Sequence, residues 1–143
     1  MKLQICFEID GLAEDEKGNP APAGLAMTIS EMVDRAHQNA VKHGFWENPP
    51  EFGTAIALIH SELSEALEAA RARNPMIYYS GDNYTAPVPM KHCTKPEGVA
   101  IELADAVIRI ADLCGQMEID LKSAIALKME YNEGRPFKHE KLF

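Results

Sequence analysis

The sequence predicts an all-α fold, a four-helix bundle over residues 27–143 preceded by an extended arm and linker over 1–26, the whole forming a single domain. Three observations predict it. Four segments repeat apolar residues at helical spacing. Each segment is bounded by a capping or stop signal. Two of the four carry acids three residues apart, Glu62 with Glu65 and Glu102 with Asp105, which places each pair on one side of a helix.

Residues 1–10 alternate weakly (Leu3, Ile5, Phe7, Ile9), the pattern of an extended arm, and 11–24 are rich in Gly, Pro and acids, the pattern of a linker. The first helix is expected from about Thr28 to His43. Thr28 and Glu31 have capping-box spacing, Ile29, Val33, Ala36 and Ala40 form its stripe, and Gly44 stops it. A connection follows with two large aromatics, Phe45 and Trp46. The second helix is expected from about Glu51 to Arg73, with Ile56, Ile59, Leu63, Ala66, Leu67 and Ala70 as its main apolar face and Asn74-Pro75 as its end. Met76 to Thr94 has no helical period and reads as one long loop.

The third helix is expected to begin at Thr94, where Thr94 and Glu97 again have capping-box spacing, and to end at Gly115. Val99, Leu103, Ala106, Val107, Ile110 and Cys114 face one way. Ile101, Ala104, Ile108 and Ala111 extend the apolar surface nearly all round, so this helix is expected to be buried. Its polar arc holds Glu102, Asp105, Arg109 and Asp112. The fourth helix runs from its N-cap Asp120 to about Asn132, with Gly134 as C-cap and a basic tail, Arg135 to His139, beyond it.

Composition narrows the classes of function. A 143-residue chain with 46% hydrophobic residues has room for a core. Its net charge of -8 argues against a nucleic-acid partner, because an acidic chain repels a phosphate backbone. An acidic chain can still take a nucleotide if a metal supplies positive charge. Three cysteines without a C-x-x-C spacing read as reduced thiols of a cytoplasmic protein. Glu8 and Asp10 interrupt any signal peptide, and no apolar run reaches membrane-spanning length.

One acid pair alone would read as a solvated helix face. Two pairs, the second on a helix too apolar to face water broadly, point to a cation held through oxygen. Neither pair has a histidine at the place a di-iron bundle would use, and His60 is out of register for it. Oxygen-only ligation suits Mg²⁺, with Mn²⁺ as a substitute. On the fourth helix, Lys128 reads either as a lysine snorkelling at a bundle end or as a cation for phosphate, with Asn132 one turn on and Arg135 past the cap. Arg109 reads more readily as an ion pair with Asp105 or Asp112. Phe45 and Trp46 suit core packing and base stacking equally.

Together these residues resemble the MazG-like all-α nucleotide pyrophosphohydrolases. The resemblance rests on Glu62-Leu63-Ser64-Glu65, on Glu102-Leu103-Ala104-Asp105, and on Lys128, Asn132 and Arg135. It covers residues 27–143, and "LIHSELSEALEAAR" and "KMEYNEGRPFKHEKLF" are similar to the family's stretches. The spacer between the acid pairs is longer than is usual there, and the N-terminal arm has no counterpart. The resemblance implies Mg²⁺-dependent hydrolysis of a nucleoside triphosphate between the α and β phosphates, to a monophosphate and pyrophosphate. It implies Glu62, Glu65, Glu102 and Asp105 as metal ligands, and Glu65, with Glu62, as catalytic through an activated water. Lys128, Asn132 and Arg135 would bind substrate, with Phe45 and Trp46 beside the base. It implies a homodimer or homotetramer. The alternatives are a non-catalytic helical module that binds a metal or nucleotide, and a di-metal carboxylate bundle.

Overall fold

In the computed structural model the described residues are 12–14, 20–22, 27–81, 85–87 and 94–136. Expectations for residues 1–10, for Cys6 and Cys93, and for the tail from Phe137 to His139 lie outside them. The described residues form four helices, α1 (Ile29–Lys42), α2 (Phe52–Arg71), α3 (Val99–Gln116) and α4 (Leu121–Glu133). Five short strands accompany them, β1 (Leu12–Glu14), β2 (Pro20–Pro22), β3 (Tyr78–Ser80), β4 (Thr85–Ala86) and β5 (Lys95–Glu97).

The protein is therefore mostly helical, as the sequence predicts, with a small sheet beside the helices. The stretch expected to be one long loop carries an antiparallel sheet in the order β4-β3-β5. Tyr78 pairs with Glu97, Tyr79 with Pro96 and Ser80 with Lys95 in one ladder, and Tyr79 pairs with Ala86 in the other. Strands this short give little periodic signal. What specifies them is pairing between residues far apart in sequence, which no local window can see. A second ribbon, β1 against β2, lies inside the expected linker. Its two prolines suit a ribbon in which both strands are edges.

The backbone groups into two compact units, residues 1–28 with 62–104 and residues 29–61 with 105–143. Both divisions fall inside helices, α2 between Ser61 and Glu62 and α3 between Ala104 and Asp105.

In the first unit the β5 to α3 junction is the tightest point. Gly98 has φ +114°, and a Cβ there would lie 2.6 Å from the carbonyl oxygens of both Pro75 and Met76. Only glycine permits that approach. The Ala100 amide then donates to the Met76 carbonyl at 3.1 Å, and the amides of Ile101 and Glu102 donate to Gly98. Glycine 98, not Thr94, thus opens α3. The expected capping box fails because the Glu97 carboxylate is taken by side chains across the sheet.

In the second unit α1 packs against α4. Gly115, expected to end the third helix, lies inside α3 and serves close packing: a Cβ there would meet the His37 Cβ at 2.5 Å. Asp120 caps α4 as expected, its carboxylate accepting from the Ser123 amide at 3.0 Å and hydroxyl at 2.6 Å. Those bonds hold the Asp120 carboxyl below its usual pKa.

Three helices end in one hydrogen-bond pattern. After α1, the Gly44 amide donates to Val41 and Phe45 to Ala40. After α2, Arg73 donates to Ala70 and Asn74 to Ala69. After α3, Glu118 donates to Gly115 and Ile119 to Cys114. Each is a Schellman closure with its pivot left-handed, at φ +79° for Gly44, +57° for Arg73 and +53° for Glu118.

The buried faces differ from the expected ones. The buried apolar residues are Ala40, Ala55, Ala66, Ala86, Ala106, Ala111 and Cys114. On α2 the inward stripe is Ala55, Glu62 and Ala66, while Leu63 and Leu67 are exposed. On α3, Leu103, Val107 and Ile110 are exposed as well. The third helix is therefore not buried all round within a single chain. Small side chains fill the fully buried positions, and several of the large ones are exposed.

Only the pivot at Gly44 escapes the Cβ penalty of the left-handed region. Glu118→Gly is expected to stabilise the protein by about 0.5–1 kcal/mol, and Gly44→Ala to cost about 1 kcal/mol. Urea unfolding midpoints measure both. A Glu118→Gly variant less stable than the parent would show that the Glu118 side chain contributes more than its backbone strain costs.

Candidate metal centre

The first unit brings three carboxylates together. One oxygen from each of Glu62, Glu65 and Glu102 lies within 4.8 Å of the others. Glu62 and Glu65 reach this point from successive turns of α2, and Glu102 reaches it from the first turn of α3. The positive end of the α3 backbone dipole lies at that turn and favours the Glu102 charge. Glu62 is only 7% exposed, Glu102 is intermediate and Glu65 faces solvent. Three of the four acids singled out from the sequence thus come together. Asp105, one turn beyond Glu102 on α3, is half-buried and is not part of the trio.

The trio fits a hard divalent cation. Its donors are all carboxylate oxygens. Two oxygens bound to one Mg²⁺ at about 2.0–2.1 Å cannot be more than about 4.2 Å apart, and a larger cation allows about 5 Å. A spread of at most 4.8 Å is one that rotation of the glutamate side chains can close on a single Mg²⁺ or Mn²⁺. The graded exposure, from buried Glu62 to exposed Glu65, leaves one side open to water and to a further ligand.

Beside the trio, the sheet holds a second carboxylate. Glu97 Oε1 accepts from Ser80 Oγ at 2.9 Å and from Lys95 Nζ at 2.8 Å, and Oε2 accepts from Tyr78 Oη at 2.9 Å. The bonds from Lys95 and Ser80 hold the Glu97 carboxyl below its ordinary value, and burial only partly opposes them. The bond to Glu97 pushes Tyr78 up, with burial adding to it. Lys95 is raised by its own bond to Glu97 and by the Glu97 charge, and the charges of Glu102 and Glu65 add to it. None of these four residues was singled out from the sequence as part of a site. Tyr78 and Ser80 fell in the expected loop, and Glu97 in the expected capping box of the third helix.

The remaining candidates belong to the second unit. The Trp46 indole N–H donates to Asp112 Oδ1 at 2.8 Å, and His37 Nδ1–H donates to the same oxygen at 2.9 Å. The His37 and Trp46 rings meet edge to face, centroids 5.8 Å apart. Trp46 is half-buried and fixed by this bond, whereas Phe45 is 71% exposed. The two aromatics, expected to behave alike, therefore part company. His37 was not anticipated, since nothing in its helical spacing marks it. On α4, Lys128 Nζ lies 4.8 Å and Arg135 Cζ 5.8 Å from the centre of the Tyr131 ring. Lys128 and Asn132 are exposed and Arg135 is half-buried. Cys114 is buried and its thiol is pushed up by burial, which makes it a packing residue and not a nucleophile.

Comparison of the chain with family models, with curated proteins and with solved structures finds no match.

Two predictions follow from the junction and the sheet. Gly98→Ala should cost more than about 2 kcal/mol, because the backbone carbonyls cannot yield to a Cβ and the φ is left-handed. It should also weaken Mn²⁺ binding, since β5 and α3 set the position of Glu102. Wild-type melting and Mn²⁺ affinity together would show that the approach is not tight. The second concerns pH. Because Glu97 is depressed in the folded state, its contribution to stability is present above the unfolded carboxyl value near 4.5 and is lost as pH falls through the lower folded one. Tyr78 and Lys95 are raised, so their contributions hold below their unfolded values, 10.0 and 10.5, and are lost as pH rises through the folded ones. Glu97→Gln should therefore flatten the acid limb of a stability–pH curve below about pH 4.5. An unchanged acid limb would remove Glu97 from the groups that set it.

Proposed function

We propose that the chain is a metal-dependent nucleoside triphosphate pyrophosphohydrolase with a four-helix-bundle fold of the MazG-like type. The observation that carries this reading is the trio. Three carboxylates that sequence spacing had paired lie within 4.8 Å of one another, and one of them, Glu62, is buried. Like charges so close, with one removed from water, are costly unless a cation offsets them.

Glu62, Glu65 and Glu102 would hold Mg²⁺ or Mn²⁺, and the resemblance adds Asp105. When bound, such a cation polarises phosphoryl oxygens and makes a bound water more acidic. Glu65 is the carboxylate open to solvent, so it is the one that can orient the attacking water and take its proton on an Oε atom. Glu62, held in the interior, keeps a fixed position on the same face of α2. Lys128 and Arg135 would offset phosphate charge, Asn132 would orient the sugar or phosphate, and Trp46 would stack on the base, with Phe45 as the exposed neighbour. The product pair would be a nucleoside monophosphate and pyrophosphate, from a ribo- or deoxyribonucleotide.

An exposed apolar stripe on α3 supports the same reading. Leu103, Val107 and Ile110 repeat at helical spacing on α3, and all three are exposed in the single chain. A water-facing stripe of this kind is normally covered, and a homodimer or homotetramer would cover it. No helix of the described residues is long and apolar enough to cross a membrane. The reading places the protein in the cytoplasm.

The test is release of pyrophosphate from a panel of nucleoside triphosphates with and without Mg²⁺. Wild-type protein should release it only with the metal. Glu65→Gln should keep its fold and lose about a hundredfold or more in turnover. Wild-type protein that binds Mg²⁺ through Glu62 but turns over no nucleotide would leave a non-catalytic metal-binding module as the correct reading.

A further inference from the structure

We propose that Lys95 is the cation that meets the phosphates of a polyphosphate anion bound at the Glu62–Glu65–Glu102 trio, an inference that rests on the trio holding Mg²⁺ or Mn²⁺. Three observations carry it. Lys95 sits on β5 opposite Ser80, and three residues later Gly98 turns the chain into α3, whose first turn carries Glu102. The tight packing of Gly98 makes strand and helix one piece, so the position of Lys95 relative to Glu102 is built in.

The lysine is also available. Its side chain is 75% exposed, and among the described residues its ammonium makes a single short bond, to Glu97 Oε1 at 2.8 Å. An ammonium has three donors, so two remain for an incoming oxygen. Glu97 keeps Tyr78 and Ser80 as donors when Lys95 turns away, and little is lost at the sheet. The ammonium lies within electrostatic reach of both Glu65 and Glu102, whose charges raise its affinity for the proton.

Charge balance gives it a task. Three carboxylates and one divalent cation leave a net charge of -1 at the trio, which repels a triphosphate. A mobile ammonium at the rim converts that repulsion into attraction on the side where the anion arrives. Before the anion binds, the lysine is held by Glu97.

The two roles of this charge have opposite signs in a titration. Lys95 repels a bare cation and attracts a polyphosphate. The experiment is calorimetric titration of the full-length protein, first with Mn²⁺ alone, then with the preformed complex of Mn²⁺ and inorganic tripolyphosphate. Lys95→Met should bind Mn²⁺ about two- to fivefold more tightly than wild type. It should bind the tripolyphosphate complex about tenfold more weakly. Lys95→Arg, which keeps the charge, should stay near wild type in both. Unchanged tripolyphosphate affinity in Lys95→Met would overturn the inference, and a lysine that merely braces the sheet would lower Tm and move neither affinity. If wild-type protein shows no Mn²⁺ binding that Glu62→Gln abolishes, the metal reading itself is wrong, and the role of Lys95 falls with it.

Discussion

The first unit is shaped by the cost of placing one carboxylate out of water beside two others. Glu62 lies in the stripe of α2 that Ala55 and Ala66 share, a face where an apolar side chain would be cheaper. Nothing in helix propensity favours a glutamate there. What the chain supplies around it is partial compensation. The N-terminal end of the α3 dipole lies at Glu102, and the ammonium of Lys95 lies within electrostatic reach of Glu65 and Glu102. Both are weaker than a bound divalent cation.

The sheet between α2 and α3 is the means of that arrangement. Glu62 and Glu65 come together through helical spacing alone, but Glu102 is almost forty residues away in sequence and has to be brought back. The ladder of β3 against β5, closed by Glu97 on three donors, returns the chain to the end of α2. Gly98 then lets the backbone pass against the Pro75 and Met76 carbonyls. The insertion that looked like a detour between two acid pairs is thus a structural clamp whose register fixes the position of Glu102.

This division explains what could be read in the sequence. The helices, the N-cap Asp120 and the stop at Gly44 follow from local rules, and the structure keeps them. The Glu62–Glu65 pair is likewise local. The errors all involve partners far apart in sequence. Glu97 had the right spacing from Thr94 for a cap, but Tyr78 and Ser80 take its carboxylate instead. Gly115 looked like a stop but makes room for His37 on another helix. Arg73 and Glu118 adopt left-handed conformations that their side chains give no hint of, because the Schellman bonds and the chain direction beyond them over-determine the backbone. The apolar faces of α2 and α3 were misjudged for a related reason. Hydrophobicity ranks leucine above alanine, whereas close helix approach selects alanine, and the large residues are left for another surface.

Trp46 shows how one hydrogen bond changes the weight of a reading that sequence left open. An indole in a packed corner and an indole stacked on a base both need a fixed ring, but they need it for different reasons. Here the fixing partner is ionic and shared: one oxygen of Asp112 accepts from both Trp46 and His37. Core packing alone does not call for a carboxylate, since burying one costs more than an apolar neighbour would. Asp112 also decides which nitrogen of His37 carries a proton, because a carboxylate can only accept; the Nδ1 position is the donor. That leaves the other ring nitrogen as an acceptor whenever the imidazole is neutral. A tryptophan held edge-on to a histidine of defined tautomer is a more specific arrangement than the filling of a helix corner requires, and it is the feature of the second unit that sequence spacing gave no means of anticipating.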